Sequence, residues 1–358
     1  MLSSALFGLP ALSASITRVL RDRISHSAHS GPALTRKRIA SNAALVAGAL
    51  AMSGVSFSAH AADKAVVYQA FQSIQYLPLY VAIDKGLFTK NGLDVEKVTA
   101  GSGAAGVAAV IGGHADFSLQ DPMTACLANL KGASLVNVAS VVAGVPVWIL
   151  TPPDSTLKTT ADLKGKTVST ALPPTTTTYL LQRLIKQQNI ADVNMNTVQI
   201  GTELAPATAG RAQAATVYEP QADQGIAAGF KILYAFPSTY PGGYAFSTID
   251  TLSSTIKAKP QMVAAFVKAI GEAEALIAQS PETARAVAEA EFPSLDKPIV
   301  DHAVDRLIAG KIYAQTPEIS EQAFRNALDL QEYIGNIKPG TVTYANSVDN
   351  AFARDAAK

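Results

Sequence analysis

The sequence is short of the residue types that most metal and nucleophile chemistry requires. Cys126 is the only cysteine among 358 residues, so no intramolecular disulfide and no cysteine-based metal site can form. After residue 61 only His114 and His302 remain, and neither has a second histidine or a carboxylate at metal-ligand spacing. A metal site, a zinc enzyme and a histidine-based triad are therefore poorly supported. Cys126 lies in an apolar run, which favours a buried thiol over a nucleophile.

Positive charge is also scarce once the first 61 residues are set aside. The sequence has 29 Lys and Arg against 28 Asp and Glu, but six of the basic residues and one acidic residue lie in residues 1–61. The remaining 297 residues carry 23 basic and 27 acidic side chains, a net charge of about −4. This balance argues against a nucleic-acid partner, because neutralising phosphates requires a basic face. No arginine occurs in residues 62–150, so that region has no bidentate clamp for a sulfonate or carboxylate.

The first 61 residues have the pattern of an export signal. A basic stretch at 35–38 precedes a small apolar run at 39–55 and a small-x-small site, Ala-His-Ala, at 59–61. We predict a cleavable signal over 1–61, cleaved after Ala61, and therefore a periplasmic location. The alternative is a membrane anchor, but the apolar run is shorter than the ~20 residues that a span needs. Residues 1–34 make the basic region unusually long, which leaves the true start codon open.

Strand and helix signals alternate along the rest of the chain. Runs of β-branched and aromatic residues, such as 65–71 and 93–98, alternate with helical stretches that end at glycines, such as 77–88. The same alternation repeats over 165–235 and predicts two lobes of βα units with mostly parallel sheets. Four helical stretches with Ala and Leu at 3–4 spacing follow, and we expect them to cover the first lobe. They are 261–278, 281–291, 299–308 and 320–334.

Four segments in one order resemble the landmarks of a known family. They are 76–88 with 92–95 (YLPLYVAIDKGLF and GLDV), 109–116 (AVIGGHAD), 157–168 with its DLKGK, and 209–220 with its VYEP. The family is the periplasmic substrate-binding proteins of ABC importers for nitrate, alkanesulfonates, taurine and thiamine-precursor pyrimidines. The segments span nearly all of the chain after the signal, whereas members of the family differ widely in ligand.

The resemblance implies a type II periplasmic binding protein fold of the α/β class, with two βα lobes joined by a two-strand hinge. Residues 62–148 would form the first part of lobe 1, and 149–242 would form lobe 2. Residues 243–358 would return to lobe 1 and supply the C-terminal helices. The hinge crossings would fall near Trp148–Thr151 and Tyr240–Phe246.

Ligands of open α/β sheets bind beyond the carboxyl ends of the strands. In two facing lobes, the loops after the strands would therefore line one cleft. The predicted ligand-binding residues are Gln75, Tyr76, Gly101, Ser102, Gln120, Asp121, Thr175, Thr176, Thr177, Thr178 and Glu219. No catalytic residue is assigned.

The predicted site residues suggest different ligand chemistry. The threonines at 175–178 open a helix, whose free N–H groups favour an anionic or acceptor-rich group, with a simple threonine cap as the alternative. Glu219 suits an ammonium or N–H donor, with a salt bridge as the alternative. Tyr76 either stacks on a ring or packs against its helix. Tyr218 precedes Glu219, so it should point the opposite way, into the core.

The sequence therefore predicts a solute-binding component of an ABC importer. It would capture a small neutral or zwitterionic ligand, with nitrogen heterocycles among the candidates, and deliver it to an inner-membrane permease. We expect a monomer that uses no cofactor and closes by differential affinity for ligand. The alternatives are a sensor feeding a membrane receptor and a binder of sulfonate, nitrate or carboxylate. An enzyme on the same fold is disfavoured, because the related pyrimidine synthases need a cysteine-rich motif.

Overall fold

Residues 62–356 of the protein are described by a computed structural model. They contain two five-stranded sheets with helices packed against them, which agrees with the predicted mixed α/β class with two lobes. The predicted signal over 1–61 lies outside the described residues. Between residues 62 and 356, no helix has both the length and the apolar character to cross a membrane.

The strands and helices alternate over the first two-thirds of the described chain, and helices dominate after it. The strands are β1 (Asp63–Gln69), β2 (Leu93–Thr99), β3 (Phe117–Gln120), β4 (Leu135–Val142), β5 (Trp148–Thr151), β6 (Thr167–Ala171), β7 (Asn194–Val198), β8 (Ala214–Val217), β9 (Lys231–Ala235) and β10 (Ser247–Leu252). The helices are α1 (Leu77–Asp84), α2 (Leu87–Lys90), α3 (Gly103–Ile111), α4 (Pro122–Asn129), α5 (Thr176–Gln187), α6 (Leu204–Thr208), α7 (Gln221–Ala227), α8 (Ser253–Ala258), α9 (Pro260–Gln279), α10 (Pro281–Glu291), α11 (Lys297–Ala309), α12 (Glu321–Ile334), α13 (Tyr344–Ser347) and α14 (Ala351–Ala356).

Each sheet combines parallel strands with one strand that runs the other way. The first sheet has the order β2-β1-β3-β10-β4, and the second has the order β7-β6-β8-β5-β9. β10 is antiparallel to both of its neighbours, and so is β5. Each of these strands begins just after the chain has crossed from the other sheet, and it runs opposite to the other strands of the sheet that it joins. Four of the five strands in each sheet run in the same direction, so the prediction of mostly parallel sheets is confirmed, with β10 and β5 as the exceptions.

The chain passes between the two sheets over residues 143–147 and 236–246. We call the part around the first sheet lobe 1 and the part around the second sheet lobe 2. The predicted crossing at Trp148–Thr151 coincides with β5, so the passage itself precedes it. The domain limits at 148/149 and 242/243 stay predictions.

The predicted helix over 77–88 is broken by a glycine. Gly86 adopts a φ of +64°, a left-handed conformation that suits glycine because it has no Cβ. α1 therefore ends at Asp84 and α2 begins at Leu87. The turn lets Phe88 pack against Phe266 of α9, with ring centroids 4.7 Å apart. Burying each of these rings is worth about 2 kcal/mol, so the break helps fix α9 on lobe 1.

Two of the four long C-terminal helices contact both lobes. α9 and α10 pack against α1 of lobe 1, as predicted. α11 packs against α10 and against α7 of lobe 2, and α12 packs against α4 of lobe 1 and α5 of lobe 2. The expectation that the helices cover the first lobe therefore describes only part of the packing of α11 and α12, which bridge the lobes.

Candidate ligand-binding site

A small cavity of about 30 Å³ lies between the lobes, at the ends of strands from both sheets. It is lined by Ala70, Phe71, Gln75, Tyr76, Gly103, Gln120, Asp121, Thr124, Pro174, Thr175, Thr176, Ile200, Tyr218, Phe246 and Ser247. β1, β3, β6, β7 and β8 end beside it and β10 begins there, as expected for ligand sites of open α/β sheets. The lobes are in contact here, so a ligand larger than one or two waters requires the cavity to widen.

Three larger depressions have volumes of about 340, 470 and 130 Å³. None of the buried polar side-chain atoms without a partner in residues 62–356 belongs to the residues that line them. The cavity between the lobes has such atoms, on Gln75 and Gln120. Because a buried polar group without a partner is costly, we take the cavity between the lobes as the candidate site.

Aromatic rings from both lobes form one wall. Phe71 and Tyr76 have ring centroids 5.5 Å apart, and Phe71 and Tyr218 have centroids 5.1 Å apart. Phe246 lies 6.1 Å from Tyr218, also centroid to centroid. Burial raises the pKa of Tyr76 to about 12, so its hydroxyl stays neutral and can donate or accept a hydrogen bond. An aromatic wall with hydroxyl groups suits a ring-bearing ligand.

Two buried glutamines supply unused hydrogen-bonding atoms. The side chain of Gln75 is fully buried, and neither its amide nitrogen nor its amide oxygen makes a hydrogen bond. Gln120 donates from Nε2 to Oδ2 of Asp250 at 3.0 Å, while its Oε1 is buried without a partner. The cavity therefore presents at least one free donor and two free acceptors.

Asp121 brings a carboxylate into the cavity and connects the lobes. Its Oδ1 caps α4 by accepting a 2.8 Å hydrogen bond from the N–H of Met123, and its Oδ2 accepts the hydroxyl of Thr176 from lobe 2. Burial raises the pKa of Asp121 to about 6. Among the residues that line the cavity there is no Lys, Arg or His. Above pH 6 the site is therefore negatively charged.

Only two of the four predicted threonines reach the cavity. Thr175 and Thr176 line it, but Thr177 and Thr178 do not. Thr178 donates to the backbone oxygen of Ala171, within lobe 2. The turn of α5 carries successive side chains to different faces, so the prediction placed Thr177 and Thr178 on the wrong side of the helix.

Glu219 also lies away from the cavity lining. Its Oε1 is 2.9 Å from Nε of Arg306 in α11, and its Oε2 accepts a 3.0 Å hydrogen bond from the N–H of Asp223. Arg306 also contacts Oδ1 of Asp223 at 2.5 Å. Burial, together with the charge of Asp223, raises the pKa of Glu219. The salt-bridge alternative therefore describes this residue better than ligand contact.

Tyr218 and Glu219, which follow β8, point to opposite sides, as predicted. Tyr218 is buried in the core, as expected, and also lines the cavity, while Glu219 faces Arg306. The turn before α3 differs from the prediction. Ser102 caps that helix by accepting a 3.2 Å bond from Ala105, and Gly103, rather than Gly101 or Ser102, lines the cavity.

The structure thus brings six of the predicted residues together, namely Gln75, Tyr76, Gln120, Asp121, Thr175 and Thr176. Phe71, Tyr218, Phe246 and Ser247 were missed. Tyr218 follows β8 directly, and Phe71 lies two residues after β1. Phe71 was missed because the predicted strand at 65–71 included it, and Tyr218 because it was expected to point only into the core. Phe246 and Ser247 lie at the start of β10, a strand that the sequence analysis did not identify.

The profile of the family described as "NMT1/THI5 like" matches residues 73–284. This is more than half of the chain, and the chain belongs to that family. It is 24% identical over 302 residues to "Putative binding protein YtlA" of Bacillus subtilis (strain 168), covering 81% of this chain and 89% of that protein. The resemblance seen in the four sequence segments is thereby confirmed at the level of the family.

Solved structures share the fold. The alkanesulfonate-binding protein SsuA from Xanthomonas axonopodis pv. citri, bound to MOPS, superposes with a TM-score of 0.67 at 19% identity, over 82% of this chain and 99% of that one. The periplasmic nitrate-binding protein NrtA from Synechocystis PCC 6803 also gives 0.67, at 16% identity, over 82% and 88%. The chain thus has the periplasmic binding protein fold.

The same fold also carries an enzyme. The desulfurization enzyme DSZB superposes with a TM-score of 0.63 at 11% identity, over 82% of this chain and 99% of that one. In residues 62–356, no group of three or more His, Cys, Asp or Glu side chains is placed to hold a metal ion. The fold alone therefore does not decide between binding and catalysis.

Proposed function

We propose that this protein is the solute-binding component of an ABC importer and acts in the periplasm. Its family, its two-lobed fold and the names of its relatives support this assignment. The ligand would be held between the lobes, and the closed form would be presented to a membrane permease. Only a ligand that contacts both lobes favours closure, and the cavity has lining residues from both.

The single observation that carries the ligand assignment is the set of polar groups in the cavity. Gln75 and Gln120 have unpartnered amide atoms, Asp121 supplies a carboxylate, and no cationic side chain lines the space. An anion would face Asp121 without a counter-charge, which is unfavourable in a buried site. A small neutral or zwitterionic ligand that offers N–H or O–H donors fits, and nitrogen heterocycles would also use the aromatic wall.

A second ligand class is favoured by one specific observation. Thr175 and Thr176 lie at the first turn of α5, next to the cavity, and the start of a helix attracts negative charge. The named sulfonate- and nitrate-binding structures have the same fold. An anionic ligand is therefore the alternative, and it requires Asp121 to be protonated or displaced.

A thermal-shift screen of the chain from Ala62 to Lys358 tests these assignments. The panel holds pyrimidines and other nitrogen heterocycles, taurine, alkanesulfonates, nitrate and aromatic acids. A ligand that binds only the native state raises the melting temperature in proportion to the logarithm of its excess over Kd. We expect shifts with nitrogen-bearing neutral compounds. Shifts with anions alone would overturn the ligand class while retaining the binding function.

The role after binding needs a different experiment. Delivery to a permease predicts that the chain, when loaded, stimulates the ATPase of a membrane complex encoded beside it. A neighbouring sensor kinase that responds to the loaded chain would instead support a sensor. Neither outcome depends on which ligand class the screen identifies.

A further inference from the structure

The amide oxygen of Gln120, Oε1, is a buried hydrogen-bond acceptor beside the cavity. Gln120 is 1% exposed and ends β3. Its Oε1 is buried and has no hydrogen-bond partner, although the residue lines the cavity. A buried carbonyl oxygen without a partner costs free energy. A ligand that donates a hydrogen bond to it would remove that penalty.

A hydrogen bond to Asp250, which does not line the cavity, sets the orientation of this amide. Asp250 is fully buried in β10, beside β3. Its carboxylate oxygens accept the hydroxyl of Ser118 at 2.6 and 2.5 Å, and Oδ2 accepts Nε2 of Gln120 at 3.0 Å. An ionised carboxylate only accepts hydrogen bonds. Burial raises the pKa of Asp250 to about 7, so above pH 7 the Gln120 amide must turn its nitrogen towards Asp250 and its oxygen towards the cavity.

The space in front of the Gln120 oxygen is left open by a glycine. A Cβ added to Gly103, the first residue of α3, would lie 2.9 Å from Oε1 and 3.4 Å from Cβ of Gln120. Gly103 does not have a positive φ, so its backbone does not require glycine. The reason for glycine at this position is room for the amide oxygen beside the ligand.

We infer that Asp250 is a positioning residue and Gly103 a space-making residue that together hold the Gln120 oxygen as a fixed acceptor, so that the site selects ligands with an N–H or O–H donor at that point. The inference rests on the proposed function and specifies which ligand group the site selects. Asp250 itself does not line the cavity, and it acts only through Gln120.

The test uses two ligands of nearly the same shape, 4-aminopyrimidine and 4-methylpyrimidine. Only the amino compound can donate to Gln120. The full chain is expressed with its own leader, purified and titrated calorimetrically with each compound. We expect the wild type to prefer the amino compound by about ten-fold or more, because the methyl compound leaves the buried oxygen unpaired.

Two variants separate the parts of the inference. In Asp250→Asn the amide can either donate or accept towards Gln120, so we expect the preference to fall to about three-fold or less. In Gly103→Ala the new Cβ displaces the oxygen, and affinity for the amino compound should fall about ten-fold. Gly106→Ala is the matched control on the same helix, since its Cβ would meet side-chain and backbone atoms no closer than 3.4 Å.

A second readout needs no ligand. In the wild type, one side-chain amide proton of Gln120 should resonate downfield and exchange slowly because it bonds to a carboxylate. Loss of the signal in Gln120→Glu assigns it, and Asp250→Asn should shift it upfield. A purely structural role for Asp250 would lower the melting temperature without changing either this signal or the ratio of the two affinities.

The outcomes distinguish this inference from the proposed function. A wild-type preference that survives in both Asp250→Asn and Gly103→Ala overturns the inference and leaves the function intact. Binding of the methyl compound or of anions alone overturns the selection for donors. If the wild type binds no compound of either panel, the proposed ligand class fails. An unchanged amide signal in Asp250→Asn would then overturn the positioning role as well.

Discussion

Asp121, which is half-buried, and Glu219, which is buried, are carboxylates at strand ends on opposite lobes, and their surroundings differ. Asp121 lines the cavity, accepts hydrogen bonds from Met123 and Thr176, and has no ion-pair partner among the described residues. Glu219 faces away from the cavity and pairs with Arg306. A position after a strand is therefore not enough to identify a ligand contact. The presence or absence of a cation separates a carboxylate available to a ligand from one held in an ion pair.

The largest expected effect concerns the paired carboxylate. Arg306→Ala would leave Glu219 and Asp223 buried without their cation, and breaking such a pair costs about 3 kcal/mol. We expect a clearly lower free energy of unfolding at pH 7, measured by urea denaturation. Glu219→Gln combined with Asp223→Asn should restore part of the loss, because the uncompensated charges are then gone.

The control for this prediction is another arginine pair. Arg325 and Glu321 lie on α12 at i, i+4 spacing with both side chains more than half exposed, and such pairs contribute about 0.5 kcal/mol or less. Equal losses for Arg306→Ala and Arg325→Ala would show that the cluster around Arg306 is not special.

Asp121, the carboxylate without an ion-pair partner, should lower rather than raise the free energy of unfolding at pH 7. Burial raises the pKa of Asp121 to about 6, above the ~3.9 of an exposed aspartate. Between about pH 4 and 6 the folded protein therefore holds a proton that the unfolded chain has released, so its free energy of unfolding falls as pH rises through this window. Asp121→Asn removes this loss and should stabilise the ligand-free protein at pH 7 by about 2 kcal/mol.

Thermal melts of wild type and Asp121→Asn at pH 4 and pH 7 check this prediction. The two proteins should differ little at pH 4 and separate at pH 7. Asp94→Asn, at an exposed position of β2, is the control. An Asp121→Asn protein that melts below the wild type at pH 7 would contradict the idea that this carboxylate is an unfavourable charge retained for binding.

For ligand affinity, replacing Asp121 should have a larger effect than replacing Glu219. Asp121→Asn removes a charged acceptor from the cavity and should weaken a donor-bearing ligand about ten-fold. Glu219→Gln and Thr177→Val lie outside the lining and should change affinity by no more than about two-fold. Calorimetry with whichever panel compound binds the wild type measures all three. A greater loss in Glu219→Gln than in Asp121→Asn would reverse our assignment.

The sequence predicted the positions of strand ends much better than the direction of side chains there. The predicted strand at 93–98 corresponds to β2, and the predicted helix at 281–291 coincides with α10. Gln120 and Asp121 were found because they follow a strand directly. These features depend on local hydrophobic patterns and on glycine and proline, which a single sequence contains.

Features that depend on distant residues were not predictable in this way. Glu219 faces Arg306 rather than the cavity, and Arg306 reaches it because α11 packs on α7. β10 was missed because its polar residues look unlike a buried strand. Its Asp250 becomes acceptable in the core only with Ser118 and Gln120 of β3 beside it. Neither arrangement leaves a signal in the local pattern.

The smallest effect is expected at the other bridge between the C-terminal helices and lobe 2. Arg183 of α5 contacts Asp329 of α12 at 2.6 Å, but the aspartate side chain is 60% exposed. Like the contact of Arg306, this ion pair joins a C-terminal helix to lobe 2, and the two differ in burial. Solvent screening should limit its coupling free energy to about 0.5 kcal/mol.

A double-mutant cycle with Arg183→Ala and Asp329→Ala, measured by urea denaturation, checks this value, and 1 M NaCl should remove most of it. The same salt should leave the Arg306 cluster nearly unchanged, because Glu219 and Asp223 are buried. A coupling above about 2 kcal/mol at Arg183 would mean that the exposed bridge also holds the lobes together. Burial of the carboxylates would then not explain why the ion pairs of α11 and α12 differ in their contribution to stability.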